Sequence, residues 1–252
     1  MINQPIIELT NVSKKHAGAN KFSVENVCLS IEKGEILVFI GSSGSGKTTL
    51  LKLINGLEKP TSGSIFIKGQ NLTTYNIIQL RRHFFGYVLQ KVGLFPHMNI
   101  KENLDIVLQI AKLNPSARAT RIHEILAFMN LDPKYYLERY PHQLSGGEQQ
   151  RVGVARALIT DSECLLMDEP FGALDSISRL SLQGEILRLK LDLKKTIVFV
   201  THDIAEAFKL GDRIAVIKDG KIEQLGTKKD LNESPKTTFV DQMVNAGLRG
   251  LS

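Results

Sequence analysis

The glycine-rich segment that begins at residue 41 has the residue types that bind a nucleoside triphosphate. Gly41-x4-Gly46-Lys47-Thr48 matches the phosphate-loop pattern at every position. Its glycines let backbone N–H groups wrap the phosphates, and Lys47 can reach the β- and γ-phosphates. The Thr48 hydroxyl can ligate Mg²⁺. The predicted nucleotide contacts in the loop are Gly41, Ser42, Ser43, Gly44, Ser45, Gly46, Lys47, Thr48 and Thr49.

Two adjacent carboxylates follow a second apolar segment, CLLMDE, which ends at Asp168 and Glu169. If this segment is a strand beside the one that precedes the loop, Asp168 comes near Mg²⁺, usually through water. Glu169 then lies near the γ-phosphate, where a carboxylate can orient and polarise the attacking water. The alternative is a strand whose end is solvated by two acids, but the accompanying phosphate loop favours the catalytic interpretation.

Two further polar residues close apolar segments. His202 follows TIVFVT and Gln90 ends YVLQ, and ligands of α/β sheets bind at the carboxyl ends of strands. Although an isolated histidine is usually structural, His202 here can hydrogen-bond the γ-phosphate and hold the attacking water. Gln90 can contact Mg²⁺ or that water and report the loss of the γ-phosphate to whatever packs on the following segment. Both are candidate catalytic residues.

A second helix start with anion-binding character follows Leu144. It contains Ser145, Gly146, Gly147 and Glu148, and a helix N-terminus attracts negative charge. By itself a Ser-Gly-Gly start is more often a simple cap. Two phosphate-binding helix starts in one chain are explained if each grips the same γ-phosphate from opposite sides. We therefore predict a head-to-tail dimer with two nucleotides between its subunits.

These residues need a framework that brings strand ends together, and the apolar pattern predicts one. The unbroken run EILVFI before the loop is typical of a strand buried on both faces, and TTLLKLING after it has helical spacing. Strands return at CLLMD and TIVFVT, and the hairpin RIAVIKDGKIEQLG turns at Asp219-Gly220. Alternating strands and helices predict an α/β fold. The mainly helical stretch from Asn99 to Ile159 suggests a second lobe.

Composition excludes some classes of protein. The chain has 252 residues and a net charge of +6, with its basic residues spread out and no arginine-rich block. This charge could suit nucleic acid, an anionic membrane face or a polyphosphate ligand, and alone it decides nothing. We expect no nucleic-acid partner. No apolar run is long enough to cross a bilayer, and the N-terminus does not resemble a secretory signal. Cys28 and Cys164 are far apart in apolar segments, so both are expected to be small core residues in a reducing, cytoplasmic compartment.

In their order and spacing these motifs resemble the ABC transporter ATPase family over essentially the whole chain. GSSGSGKT resembles Walker A, Gln90 the Q-loop, LSGGEQQ the signature and CLLMDE Walker B with its catalytic Glu169. Ala173-Leu174-Asp175 resembles the D-loop and His202 the switch histidine. The resemblance implies ATP hydrolysis between paired subunits, identical ones in a homodimer, and this hydrolysis is expected to drive a membrane permease. The metal ligands that it implies are Thr48, Gln90 and Asp168.

The same resemblance implies a P-loop NTPase with a RecA-like core, an antiparallel β sub-domain and a helical sub-domain. We expect one domain over residues 1–252, with the core and β sub-domain at roughly 1–90 and 156–225. The helical sub-domain is expected at roughly 91–155 and a C-terminal tail at 226–252. One position departs from the family pattern, because His16 stands where an aromatic residue usually stacks on adenine. Phe22 is the alternative stacking residue, and His16 is favoured.

The segment after Gln90, KVGLFPHMNIKENL, together with DEPFGALD, looks like ATPases that serve importers of glycine betaine, choline or carnitine. The resemblance implies permease subunits, indirectly a substrate-binding protein, and a peripheral location on the inner face of the membrane. Many such ATPases carry C-terminal CBS domains; none precedes Ser252 here, which argues against that regulation. Alternatives are an importer of a sulfonate, polyamine or amino acid, a soluble ATPase of iron–sulfur assembly, and a nucleotide-binding regulator without turnover.

Overall fold

The computed structural model describes residues 4–249, which divide into two compact units. The first unit comprises Met1–Ile77 and Lys194–Ser252, and the second comprises Ile78–Leu193. The ends of the predicted domain, residues 1–3 and 250–252, lie outside the described residues.

The strands are β1 Ile7–Lys14, β2 Val24–Ile31, β3 Ile36–Ile40, β4 Ser62–Ile67, β5 Gln70–Asn71, β6 Phe85–Val88, β7 Cys164–Asp168, β8 Thr196–Thr201, β9 Arg213–Lys218 and β10 Lys221–Gly226. The helices are α1 Lys47–Ile54, α2 Ile77–His83, α3 Ile100–Ile110, α4 Pro115–Phe128, α5 Pro133–Tyr136, α6 Gly146–Leu158, α7 Ser176–Leu193, α8 Ile204–Leu210, α9 Lys228–Glu233 and α10 Thr238–Arg249.

The first unit contains an antiparallel sheet in the order β2-β1-β4-β5. Its strands alternate between buried and outward-facing positions, with Ile7, Leu9 and Leu29 buried. The register pairs Ile7 with Ile31 on one side and with Ile67 on the other. Three apolar side chains therefore meet across the strands in one row of the core.

The first unit also contains the strands β10-β9-β3-β8 in that order. The middle strand β3 runs parallel to both β8 and β9, and all five of its residues are buried. This is why its sequence is continuously apolar instead of alternating. The hairpin between β9 and β10 turns at Asp219-Gly220 as predicted.

Within the described residues, no helix is both long enough and apolar enough to span a membrane.

The second unit combines the parallel pair β6 and β7 with helices. Val88 pairs with Met167, so both strands end at the same edge. Asn99 begins α3 with a capping box to Glu102, and Asn114 caps α4 ahead of Pro115. The helices that the sequence predicted between Asn99 and Ile159 are therefore present. The sub-domain boundaries stay a prediction.

The prediction that both cysteines are core residues is wrong for Cys28. Cys164 is buried in β7, but Cys28 is exposed, because it occupies the outward-facing position between the buried Val27 and Leu29. Its Sγ accepts a hydrogen bond from the Asn11 N–H at 3.2 Å. Neither thiol forms a disulfide.

Candidate functional site

The phosphate loop starts where β3 ends, and the neighbouring strand ends at the same level. Ile40 is paired with Thr201 in the parallel register, so Gly41 and His202 leave adjacent strands from one edge of the sheet. Neighbouring strands lie about 4.8 Å apart. The structure thus brings the predicted loop and His202 together in the first unit.

Two glycines of the loop are required by close backbone contacts. At Gly41 a Cβ atom would lie 2.1 Å from the Ile217 carbonyl oxygen. At Gly46, where φ is +105°, a Cβ atom would lie 2.1 Å from the Ser23 carbonyl oxygen. A side chain at either position would collide with backbone that cannot move aside, so the loop path depends on glycine there.

Lys47 is folded back over the loop. Its side chain is buried at 6% exposure, and Nζ donates hydrogen bonds of 2.8 Å to the carbonyl oxygens of Gly41 and Ser42. The positive charge is therefore held over the loop by its own backbone. Such an arrangement places a cation where phosphate oxygens would be cradled.

The start of α1 is suited to an anion. Among the described residues no side chain caps this helix at Gly46, and its first turn contains no acidic residue. The Ser45 hydroxyl is buried without a hydrogen-bond partner in the described part of the chain. Uncapped N–H groups and the helix dipole favour phosphate at this position.

The turn that carries His202 is fixed by hydrogen bonds around it. Thr201 Oγ1 donates to Glu206 Oε2 at 2.5 Å and accepts from the Asp203 N–H at 3.0 Å. Asp203 then caps α8 by accepting from the Ala205 N–H at 2.8 Å. His202 itself is exposed and borders a cavity of about 680 Å³ that is also lined by Phe239 and Met243. The exposed imidazole therefore stands on a rigid turn.

In the second unit, the structure brings together Asp168, Glu169 and Gln90. Gln90 Nε2 donates a 3.0 Å hydrogen bond to Glu169 Oε2. The Glu169 backbone has a φ of +46°, which is uncommon for a residue that carries a side chain. Burial, followed by the charge of Asp168, raises the pKa of Tyr87 on β6. The phenol of Tyr87 therefore stays protonated beside the carboxylate.

Asp175 serves as the cap of α7. Its Oδ1 accepts hydrogen bonds of 3.0 Å from the N–H groups of Ile177 and Ser178. The bond from the Ser178 backbone is the main reason that the pKa of Asp175 lies below its ordinary value. The carboxylate is exposed and ionised, and its position is set by α7.

The second helix start forms a capping box. The Ser145 hydroxyl accepts from the Glu148 N–H at 3.3 Å, and Glu148 Oε2 accepts from the Ser145 N–H at 2.7 Å. Tyr136 donates a further, short hydrogen bond to Glu148. Burial acts to raise the pKa of Glu148, but the bonds from Tyr136 and Ser145 outweigh it and lower the pKa. Glu148 is thus engaged with its own chain, whereas Ser145 and Gly146 are exposed.

The two candidates for stacking on adenine lie between β1 and β2 in the first unit. His16 Nε2 is 3.8 Å from Glu58 Oε2, and the ring of Phe22 lies 5.6 Å from Lys15 Nζ. Phe22 is 38% exposed and directly precedes Ser23, whose carbonyl touches Gly46. The choice between the two rings stays a prediction.

Sequence reasoning missed the residues that support the loop from outside. The Gly220 N–H donates to the Ser45 carbonyl at 2.9 Å, and the Glu25 N–H donates to the Gly220 carbonyl at 2.8 Å. The Asp219-Gly220 pair was recognisable as a turn, but no local pattern links it to residue 45. Ser23, Thr201 and Glu206 were missed for the same reason.

A phosphate loop on a buried parallel strand, with a histidine at the next strand end, defines a P-loop nucleotide-binding protein. A family model described as ABC transporter matches residues 24–172, which is more than half of the chain. The chain belongs to the ABC transporter family, as the motifs predicted. Membership implies that it binds nucleotide.

Individual relatives agree with this assignment. The choline transport ATP-binding protein of Bacillus subtilis is 49% identical over 239 residues, covering 95% of this chain and 62% of that protein. The glycine betaine/carnitine/choline transport ATP-binding protein of Bacillus subtilis is 48% identical, with the same coverage. The chain thus spans about three fifths of the length of these curated relatives.

A solved structure confirms the predicted fold class. It is a dimeric ATP-binding cassette bound to ADP and Pi in a post-hydrolysis state, with a TM-score of 0.79 and 35% sequence identity. The match covers 88% of this chain and 98% of that one. The predicted P-loop ABC ATPase fold, with parallel and antiparallel sheets, is therefore correct.

Proposed function

We propose that this chain is the ATP-binding and ATP-hydrolysing subunit of an importer for quaternary-amine osmoprotectants such as choline, glycine betaine or carnitine. The observation that carries the proposal is 48–49% identity over 95% of the chain to proteins named for transport of these compounds. The phosphate loop supplies the chemistry, and similarity over nearly the full chain supports the cargo class.

The nucleotide is held chiefly by the loop at Gly41–Thr48. The uncapped start of α1 and the Lys47 ammonium attract the phosphates. Mg²⁺ prefers oxygen ligands. Thr48 offers a hydroxyl oxygen, Asp168 a carboxylate oxygen and Gln90 its amide oxygen as metal ligands. When bound, Mg²⁺ would neutralise charge on the phosphates.

Glu169 is the general base in this proposal. Its carboxylate is oriented by the hydrogen bond from Gln90 and by its own constrained backbone. In this role it accepts a proton from the attacking water. His202, on its rigid turn, donates a hydrogen bond to the γ-phosphate and helps to hold that water.

The functional unit is proposed to be a dimer. The exposed Ser145 and Gly146 would contact the ATP held by the loop of a second copy, and Asp175 would lie at the same interface. The similarity of this chain to a solved structure of a dimeric ATP-binding cassette supports this arrangement. The dimer would attach to permease subunits at the inner face of the cell membrane, with a substrate-binding protein delivering cargo to them.

The substitution Glu169→Gln tests the hydrolytic role. It keeps the side chain's size and removes the base, so hydrolysis should fall roughly 100- to 10,000-fold while ATP binding is retained. Trapped ATP should then hold two chains together. Sedimentation with and without Mg-ATP measures the association, and phosphate release measures turnover.

The control for this experiment is Glu124→Gln, which alters an exposed glutamate on α4. The control should hydrolyse ATP at the parent rate. A Glu169→Gln chain that stays monomeric at saturating Mg-ATP, or that turns over like the parent, would contradict the proposal.

A further inference from the structure

The helices α6 and α7 of the second unit meet at their N-terminal ends. Gly147 is buried against Ser178, and a Cβ atom on Gly147 would lie 2.5 Å from the Ser178 hydroxyl. The Ser178 N–H in turn donates to Asp175. The segment with Ser145 and the segment with Asp175 are therefore in direct packing contact.

Farther along the same helices, a buried carboxylate joins them again. Glu185 on α7 is only 2% exposed, and its Oε1 lies 3.6 Å from Arg151 Nε on α6. The same oxygen accepts from Asn130 Nδ2 at 3.0 Å and from Ser181 Oγ at 3.3 Å. Asn130 follows α4, so the carboxylate links three helices of the unit.

This pair, in which Glu185 is buried and Arg151 partly buried, is poorly explained by stability alone. Burial raises the pKa of Glu185, opposed by Asn130 and Arg151. Within the described residues, neither Glu185 Oε2 nor Arg151 Nε has a hydrogen-bond partner. Apolar residues of similar volume often stabilise such a position as well or better, whereas a buried ion pair can specify one alignment of its helices.

The position of the pair suits it to set that alignment. Arg151 lies one helical turn after Gly147, and Glu185 lies two turns after Ser178. Sliding α6 along α7 would break the Arg151–Glu185 contact and open the Gly147–Ser178 contact together. The two contacts therefore fix the position of Ser145 relative to Asp175 along the helix axes.

We propose that Glu185 and Arg151 are positioning residues that hold Ser145–Gly147 and Asp175 as one surface for the ATP of the second subunit. The inference rests on the proposed function, in which these segments act on a nucleotide bound by the partner chain. Since neither residue belongs to the phosphate loop, the pair affects dimer formation and not the binding of ATP to a single chain.

The test is Glu185→Gln in a chain that also carries Glu169→Gln, so that hydrolysis does not interfere. The ATP concentration for half-maximal dimerisation should rise about tenfold, which corresponds to about 1.4 kcal/mol for each of the two nucleotides in the dimer. The affinity of dilute, monomeric chain for a fluorescent ATP analogue should change less than about twofold. Asp192→Asn is the matched control, because it removes the exposed Arg188–Asp192 pair of the same helix.

Arg151→Lys provides a second variant that keeps the positive charge, and it should shift the midpoint in the same direction. An unchanged midpoint for both variants, an equal loss of ATP affinity in the monomer, or unfolding of both variants would overturn the inference. If the Glu169→Gln parent itself fails to dimerise with ATP, the proposed function fails instead, and the two results are distinguishable.

Discussion

Lys47 is the residue whose environment most directly reflects the chemistry of the loop. A buried ammonium is costly unless it is hydrogen-bonded, and here two carbonyl oxygens of the loop satisfy it. In the proposed function, phosphate oxygens are stronger partners than these carbonyls because they carry charge. The folded chain thus holds the cation ready for an anionic ligand.

Replacing Lys47 should therefore weaken nucleotide binding. Lys47→Ala removes a charge-assisted contact, and we expect ATP affinity to fall about tenfold to hundredfold. Titration calorimetry measures the affinity, and the thermal midpoint reports whether the loop still folds. Lys47→Met keeps most of the apolar stem and should bind ATP as weakly as the alanine variant. Unchanged affinity in both would contradict the role of the charge.

Gln90 can be tested through its contact with Glu169. Gln90→Ala removes the donor that orients the carboxylate, so the turnover number should fall roughly tenfold with little change in ATP affinity. Gln109→Ala is the matched control, since it removes another exposed glutamine–carboxylate contact, to Asp105. A loss of affinity without a loss of turnover would show that Gln90 binds nucleotide and does not position the base.

At this scale, motif spacing predicted the residues whose chemistry is local. Lys47 and Gln90 were found because a glycine pattern and a strand end mark them. The role of Cys28 was predicted wrongly, because an apolar segment does not reveal which of its positions faces outward until its pairing is known. Tyr136 was missed, since nothing near it in sequence points to Glu148 twelve residues later.

At the scale of elements, the strand β3 is tied to its neighbours by polar contacts at its start. The Ile36 N–H donates to Asp212 Oδ2 at 2.8 Å. Glu35 accepts from the Glu32 N–H at 2.7 Å and lies 3.3 Å from Arg213 Nη1. These contacts fix where β3 begins and hence where its phosphate loop emerges.

Glu35 makes stability depend on pH. Burial raises its pKa despite the Glu32 and Arg213 contacts, so the folded state binds this proton more tightly than the unfolded chain. Its contribution is favourable at low pH and is lost as pH rises through the raised pKa. We expect Glu35→Gln to become more stable relative to the parent as the pH rises above 4.5, the ordinary pKa of this carboxyl group.

Urea unfolding at several pH values measures this difference. Glu8→Gln, at an exposed position of β1, is the control and should show a smaller change with pH. A Glu35→Gln variant that loses stability relative to the parent as pH rises would contradict the effect of burial.

The types of element were predictable because their periodicity is strong. The continuous apolar run of β3 follows from burial on both faces of the strand, and the apolar spacing of α6 follows from burial on one face of the helix. Their register was not predictable, since the pairing of Ile40 with Thr201 depends on contacts between segments far apart in sequence. Register is what places His202 beside the loop.

At the scale of the whole molecule, membership of the ABC transporter family connects the motif residues with one another. The loop, the carboxylates and the capped signature helix occur together in ABC transporters, and the chain matches that family over residues 24–172. The fold and family were predictable from motif order. The cargo was not derivable from the site, because the proposed role of these residues is to bind nucleotide and not cargo.

Reconstituted uptake tests the central claim most directly. The chain is combined in liposomes with the permease that co-purifies with it and with the cognate binding protein, and entry of labelled choline or glycine betaine is measured. We predict uptake that requires ATP and that is abolished by Glu169→Gln. ATP-driven uptake of a sulfonate, polyamine or amino acid in place of these amines would contradict the account, as would amine uptake that persists with Glu169→Gln.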